Sequence, residues 1–293
     1  MGKRPREKDG DREQPWRAHL AFALGAALLA GWYRDIFLFW DVEWSGNQGY
    51  YAHGPVVPVL AAVVIWLRRE RLAAARRQPA WLGIAVVAAA GLLKIASTWV
   101  SGTGVEAFAS VSFPVALWGI VLTVYGTAVA RLLAEPAALL WLMCPLPGYL
   151  INEVSFPLQL ASTRLATTLA MLAGIDALQE GTVIHLPDLS LFVGGTCSGF
   201  RSILSLLSLT AFAAAVSRLS RGRRLVLLLS ALPIGLAANA VRIAAITAAA
   251  DRWGRPGALQ VHEVSGFVML GLACVAVFAT AKVLGWLEDT DTW

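Results

Sequence analysis

The chain has 293 residues, of which 57% are hydrophobic and only 15% are charged, and its mean hydropathy is +0.63. Soluble domains carry about 25% charged residues, so this composition excludes an ordinary soluble globule. The net charge of +5 does not indicate a nucleic-acid partner, because fifteen of the 24 Lys and Arg residues lie in three short segments, 1–17, 68–77 and 218–224. Basic residues confined to such segments are typical of the cytoplasmic loops of membrane proteins.

Residues 1–17 are predicted to form a charged cytoplasmic leader. Apolar runs of about 20 residues follow, and each is long enough to cross a bilayer core of about 30 Å. The sequence therefore predicts an all-α polytopic membrane protein with one transmembrane domain over residues 18–286 and a cytoplasmic tail at 287–293. About eight spans are predicted, near 18–40, 50–67, 81–98, 107–126, 132–150, 198–217, 225–250 and 264–286.

Alternation of these spans places both termini and the basic segments 68–77 and 218–224 on one side of the membrane. The positive-inside rule identifies that side as the cytoplasm, which makes this a multi-pass protein of the inner membrane. Four loops are predicted on the outer side: 41–49, 99–106, 151–196 and 251–263.

The long outer loop has two parts with different periodicity. Residues 153–173 have apolar residues at helical spacing with polar residues between them, which predicts an amphipathic helix along the outer interface. Residues 175–196 change to a shorter period with turn residues, which predicts a small β-hairpin around Pro187 and Asp188. This hairpin leads directly into the segment that contains Cys197.

Ionisable and nucleophilic residues within spans are costly and are functional candidates by default. Some lie near helix ends, where their side chains are expected to extend to the interface: Lys94, Arg131 and Lys282. Three others are predicted to meet at the outer edge of the membrane. Cys197 opens the sixth span, Arg242 lies 17 residues into the seventh, and His262 precedes the eighth.

These three residue types suit acyl transfer from a peptide through a thioester. A helix N-terminus favours the thiolate of Cys197, and an imidazole can accept the thiol proton and return it to a leaving amine. Arg242 stays charged and can stabilise a carbonyl oxygen as it becomes an oxyanion. Glycines on both sides of the thiol let the backbone approach a substrate strand: Gly194, Gly195 and Gly199.

The remaining cysteines and histidines have simpler interpretations. Cys144 and Cys274 lie in apolar surroundings and are expected to act as small hydrophobic residues. His19 and His185 are expected to be ordinary hydrogen-bonding residues. With three cysteines and no metal-like His or Cys spacing, neither a fully paired disulfide framework nor a metal or organic cofactor is expected.

At these residues the sequence resembles the exosortase/archaeosortase family of membrane cysteine protein-sorting transpeptidases. The resemblance runs from about Trp32 to Leu284 and depends on the motifs YAHGPVVP, WLRRE, FPVALWG, WLMCPLPG, TCSGFRS, NAVRI and VHEVSGF. It implies a thiol-protease site made of Cys197, Arg242 and His262. Family members often have an acidic or bulkier residue before the cysteine, whereas this chain has Gly-Gly-Thr, so the subfamily and its signal variant stay open.

Further residues are expected to support the site: His53, Ser198, Gly199, Arg201 and Asn239. His53 lies in one of the family-like motifs, although the Tyr-Tyr-x-His cluster is equally typical of an interface belt. Asn239 precedes Arg242 by one turn and is expected to orient it. Arg201 follows Cys197 by one turn and is expected to hold the thiolate or a substrate carboxylate.

The resemblance implies that the partners are exported proteins with a C-terminal sorting signal, made of a short motif such as Pro-Glu-Pro, a membrane helix and an Arg-rich tail. The new carboxyl end would pass to a lipid or polysaccharide acceptor in the cell envelope. Two other functions stay open. A transporter or channel fits eight spans but would require paired charges near the bilayer midplane. A membrane acyltransferase would carry a lipid- or polysaccharide-derived acyl group on Cys197.

Overall fold

The fold is built almost entirely from helices. The computed structural model describes residues 15–46, 49–99 and 105–286, so the predicted tail, most of the predicted leader and parts of two predicted loops lie outside the described residues. Within the described residues there are eleven α-helices: α1 Pro15–Trp32, α2 Arg34–Ser45, α3 Val56–Leu67, α4 Arg69–Ala74, α5 Leu82–Trp99, α6 Val105–Tyr125, α7 Thr127–Leu132, α8 Ala134–Leu139, α9 Gly148–Leu172, α10 Phe200–Val216 and α11 Arg221–Val283. Two 3₁₀ turns lie at Leu140–Met143 and Gly195–Cys197.

The predicted membrane character agrees with the helices, but the count of eight spans is not confirmed. Three described helices, α5, α6 and α11, are long and apolar enough to cross a membrane, and the number rises to five if two bent helix pairs each count as one span. The apolar helices α3 and α10 are shorter. Twelve residues of α3 extend only about 18 Å at about 1.5 Å per residue, which is less than the thickness of a bilayer core.

The first predicted span is a broken helix rather than a straight one. α1 and α2 meet at an angle of 67° beside Tyr33. The break leaves the carbonyl of Trp32 without a helical partner, and the ammonium group of Lys94 donates to it. The same ammonium group pairs with Asp35 at 2.7 Å and lies 4.7 Å from the centre of the Tyr33 ring. Lys94, expected to extend to the interface, is therefore buried and joins α5 to the broken span.

The two predicted basic segments meet at one end of the helix bundle. Arg68 and Arg224 both form ion pairs with Glu135, and the Arg224 pair has a distance of 2.8 Å. Arg68 also donates to the carbonyl of Ala215 at the end of α10. These contacts agree with the prediction that both basic segments lie on the same side. Cys197 precedes the opposite end of α10, about 25 Å away along the helix.

The segment predicted as a long outer loop contains the predicted helix and hairpin, together with one strand that the periodicity did not predict. Strands β1 Leu178–Glu180, β2 Val183–His185 and β3 Ser190–Phe192 form one antiparallel sheet in the order β1-β2-β3. The turn at Pro187 and Asp188 joins β2 to β3 as predicted. The additional strand β1 turns back through Gly181, whose φ of 58° favours glycine.

The helix α9 is amphipathic, as predicted, but its polar face is turned inward. Gln159, Ser162 and Thr163 are buried, whereas Phe156 and Leu172 are 60% and 80% exposed. The buried polar side chains of α9 have partners inside the protein, whereas its exposed apolar side chains are suited to a lipid environment. Apolar residues of α9, β2 and α11 complete one core cluster below the sheet, including Ala166, Ala170, Ile184, Ile243 and Ala250.

Candidate functional site

Cys197 lies in the loop that joins β3 to α10. It ends the 3₁₀ turn, and its backbone N–H donates to the carbonyl of Gly194 at 2.9 Å. The sequence predicts that Cys197 opens a helix, but the residue that caps α10 is Gly199 and the helix itself begins at Phe200. Because the stabilisation of a thiolate by a helix end is confined to the first turn, Cys197 receives less of it than predicted.

Asn239 of α11 holds this loop from one side. Its side-chain amide donates to the backbone oxygen of Cys197 at 2.7 Å, and Asn239 is itself buried. Gly199 lies directly against it: a Cβ at Gly199 would be 3.0 Å from Cγ of Asn239. Asn239, which was predicted to orient Arg242, thus makes a direct contact with the backbone of the candidate nucleophile.

The helix α9 also holds this loop. The side-chain amide of Gln159 donates to the backbone oxygen of Val193, and the hydroxyl of Ser162 donates to the backbone oxygen of Ser198 at 3.4 Å. Ser198 is fully buried, and its hydroxyl accepts a bond from the N–H of Phe200. Sequence reasoning identified Gln159 and Ser162 as polar positions of an interface helix but did not assign them to the site.

A sharp turn in α11 brings Arg242 beside His262. The helix is interrupted at Gly254, where φ is 63° and ψ is −159°. After this turn Nε of Arg242 donates to the hydroxyl of Ser265 at 3.3 Å, and one Nη donates to the backbone oxygen of His262 at 3.4 Å. Gly266 lies beside the same guanidinium group, since a Cβ there would be in ordinary van der Waals contact with it at 3.8 Å. Arg242 and His262 thus meet as predicted, through a backbone oxygen rather than the imidazole.

The three candidate catalytic residues are connected through one surface of α11. Asn239 and Arg242 are one helical turn apart, so the residue that holds Cys197 and the residue that bonds to His262 share a face. In the described residues, no hydrogen bond joins the thiol of Cys197 to Arg242 or to the imidazole of His262. Such bonds are often long when no substrate is bound, and they shorten when the reactive complex forms.

The turn at residues 49–55 forms a further wall of the site. The guanidinium carbon of Arg201 lies 3.5 Å from the position of a Cβ on Gly49, so the Arg201 side chain is directed toward this turn. Tyr50 was not predicted as a site residue. Its hydroxyl lies 2.9 Å from the position of a Cβ on Gly195, and its ring packs against Phe200. The Tyr-Tyr pair in the sequence is the signal that could have identified it.

His53 packs against Tyr51 and the 3₁₀ turn Leu140–Met143. Its Nε2 lies 3.2 Å from the backbone oxygen of Leu142, and its ring stacks on Tyr51. Tyr51 in turn accepts a bond from the N–H of Leu146 and packs near Phe200. The geometry gives His53 a place in the wall behind the site and shows no contact with Cys197 in the described part of the chain.

The other cysteines and histidines lie in ordinary surroundings. Cys144 is buried, with its sulfur 3.5 Å from the backbone oxygens of Ser110 and Leu140, and Cys274 packs in an apolar cluster. All three cysteines are free. His19 bonds to the hydroxyl of Tyr125 at 2.9 Å and His185 to that of Ser190 at 2.8 Å. These contacts agree with the roles expected from the sequence.

Space for a substrate lies beside the turn of α11. One cleft of about 530 Å³ runs along the residues on both sides of His262 and includes Val261, Glu263 and Ser265. A second cleft of about 540 Å³ lies between the end of α9 and the same turn, and both clefts share Ala245 and Val261. Both clefts therefore lie along the segment of α11 that contains His262, whose side chain is exposed.

Comparison with known proteins identifies the family. A family model described as Transmembrane exosortase (Exosortase_EpsH) matches residues 40–279, a range that contains Cys197, Arg242 and His262. No curated protein and no solved structure gives a significant match. The matched range covers most of the chain and confirms the resemblance predicted from the sequence motifs. The chain belongs to the transmembrane exosortase family.

Proposed function

We propose that this protein is a sorting transpeptidase of the inner membrane that cleaves the C-terminal sorting signal of exported proteins and transfers the product to a cell-envelope acceptor. Membership of the exosortase family supports a cysteine-dependent membrane sorting transpeptidase at the level of the family. The observation that carries the proposal is the shared face of α11, where Asn239 holds the backbone of Cys197 and Arg242 bonds to the backbone of His262.

The proposed reaction assigns one step to each of the three residues. The imidazole of His262 accepts the proton of the Cys197 thiol, and the thiolate attacks the carbonyl carbon of the scissile peptide bond. Arg242 stabilises the negative oxygen of the tetrahedral intermediate. The C–N bond then breaks, and the leaving amine takes its proton from the imidazolium, so that the acyl group remains on Cys197 as a thioester.

Transfer completes the cycle and restores the free thiol. A hydroxyl or amine of the acceptor loses its proton to His262 and attacks the thioester carbonyl, after which the C–S bond breaks and the thiolate is protonated again. In this proposal the sorting signal and the acceptor enter through the two clefts beside the turn of α11. The site lies at the end of the bundle opposite to Glu135 and its two arginines, which supports an extracytoplasmic location.

The decisive test compares two cysteine variants in cells that express an exported reporter ending in a short motif, a membrane helix and an Arg-rich tail. Cys197→Ala should leave the reporter at full length in the membrane, because no thioester can form. Cys274→Ala is the matched control, since that thiol is also partly buried but packs among apolar side chains. Gel mobility and mass spectrometry of the reporter are the measurements, and normal cleavage by Cys197→Ala would refute the proposal.

A further inference from the structure

The loop around Cys197 has a sequence that restrains its own backbone only weakly. It contains Gly194, Gly195 and Gly199, and glycine has the largest conformational freedom of any residue. The short-range backbone bonds described within the loop run from the N–H of Cys197 to Gly194 and from that of Ser198 to Gly195. A nucleophile on such a segment needs external contacts to keep its sulfur in a productive position.

Those contacts come from three side chains on two helices. Gln159 donates to the oxygen of Val193, Ser162 to that of Ser198, and Asn239 to that of Cys197. The donors therefore hold the loop four residues before Cys197, at Cys197 itself and at the residue after it. They belong to two helices that pack against each other, since Gln159 and Ser162 lie on α9 and Asn239 lies on α11.

The polarity of α9 supports a specific role for these donors. Gln159 is 7% exposed and Ser162 is fully buried, whereas leucines of the same helix face outward. Burying an amide or hydroxyl costs free energy unless it forms a hydrogen bond, and apolar residues would pack without that cost. Gln159 and Ser162 offset this cost by donating hydrogen bonds to the loop, which apolar side chains could not do.

Asn239 connects the loop to the rest of the candidate machinery. It precedes Arg242 by one turn on the same helix, so the backbone of Cys197 is held at a set distance from the helix that positions Arg242. Gly199 makes the close approach possible, because any side chain there would meet Asn239. The three donors together determine how the thiol loop is oriented relative to α11.

We propose that Gln159, Ser162 and Asn239 are positioning residues, which act on the thiol of Cys197 by fixing three backbone oxygens of its loop to α9 and α11. This inference rests on the proposed function, because it assumes that Cys197 is the nucleophile. None of the three side chains is assigned a step in bond making or breaking. Their expected effect is on the accuracy with which the sulfur is placed.

The experiment measures two properties of the full-length protein in detergent or nanodiscs. One is processing of the reporter, and the other is the rate at which N-ethylmaleimide labels Cys197, followed by mass spectrometry. The variants Gln159→Met, Ser162→Ala and Asn239→Leu each remove a donor with little change of volume. Processing should fall about tenfold for each variant, the size expected from losing one buried hydrogen bond. Labelling of Cys197 should become several-fold faster, because the loop is released.

Two controls separate a local effect from general loss of structure. Thr163→Val changes a fully buried hydroxyl on the same helix that bonds only to the oxygen of Gln159, within its own helix. Cys144 is buried in a different region and should stay unlabelled in every variant. Ser162→Thr keeps the hydroxyl and should recover processing relative to Ser162→Ala.

Two results would overturn the inference. The first is that the three donor variants show the same rate of Cys197 labelling and the same processing as Thr163→Val. The second is that Cys144 becomes reactive in parallel with Cys197. Normal processing by Cys197→Ala would instead refute the proposed function, and it would leave the labelling rates as an independent measure of how the loop is held. The two failures are therefore distinguishable.

Discussion

Two separate features of the backbone beside the candidate nucleophile favour glycine at position 199. Its φ of 81° lies in the left-handed region, and a Cβ would lie 3.0 Å from the side chain of Asn239. Sequence reasoning assigned the glycines around Cys197 to close approach of a substrate. For Gly199 the structure gives an internal reason, because the close approach is made by a side chain of α11.

Gly199→Ala should lower the free energy of unfolding by roughly 1–3 kcal/mol, since both the backbone strain and the contact with Asn239 oppose a Cβ. Gly174→Ala is the matched control: its φ is 84°, but nothing lies within 4 Å of the added Cβ. Thermal unfolding in detergent measures both variants. An equal loss in the two variants would contradict a steric role for Asn239.

At the scale of single elements, the broken helix α11 decides which residues meet. A continuous helix of 63 residues would carry Arg242 and His262 about 30 Å apart, whereas the turn at Gly254 lets one bond to the other. The sequence pattern predicts two spans joined by a loop. The structure replaces that loop with a single non-helical residue, so that helical geometry continues to the edge of the turn.

Gly254→Ala should destabilise the protein by roughly 1–3 kcal/mol and reduce reporter processing, because φ and ψ at this residue lie in a region almost exclusive to glycine. The nearest atom to an added Cβ is 3.9 Å away, so the cost is conformational rather than steric. Gly271→Ala in the same helix meets nothing within 4 Å and should stabilise by about 0.5–1 kcal/mol. Comparable unfolding midpoints for the two variants would argue against strain at Gly254.

At the scale of the whole molecule, the ionic contacts around Glu135 join parts that are distant in sequence. Arg68 follows α3 and Arg224 lies in the first turn of α11, and both pair with the same carboxylate. The side chain of Glu135 is 45% exposed, so solvent weakens each pair. The contacts hold the end of the bundle that is opposite to Cys197.

Glu135→Gln should lower the free energy of unfolding by about 0.5–2 kcal/mol, because two partly exposed ion pairs are lost together. Unfolding midpoints at low and high salt provide the measurement, and the difference between variant and parent should shrink as salt screens the pairs. Glu70→Gln is the control, since Glu70 is 88% exposed and lies 3.7 Å from Arg69. A variant indistinguishable from Glu70→Gln at low salt would contradict this role of Glu135.

Membrane character, helical class and family were determined by the sequence alone. Apolar runs and clustered arginines are local in the chain, and the free energy of placing such segments in or beside a bilayer depends mainly on their own composition. The motifs around Cys197, Arg242 and His262 are also local, and they were sufficient to indicate the family. The hairpin around Pro187 was predictable for the same reason, because turn chemistry is local.

Only the tertiary structure decided how these pieces meet. Three features depend on contacts between residues far apart in the chain: the inward polar side chains of α9, the burial of Lys94 at a broken helix, and the bond from Asn239 to Cys197. A polar position on a helix has the same periodicity whether it faces water or a loop backbone, so the pattern of α9 could not identify Gln159 and Ser162 as partners of the thiol loop. Hydrogen-bond partners of buried groups are set by packing, and packing depends on the whole fold.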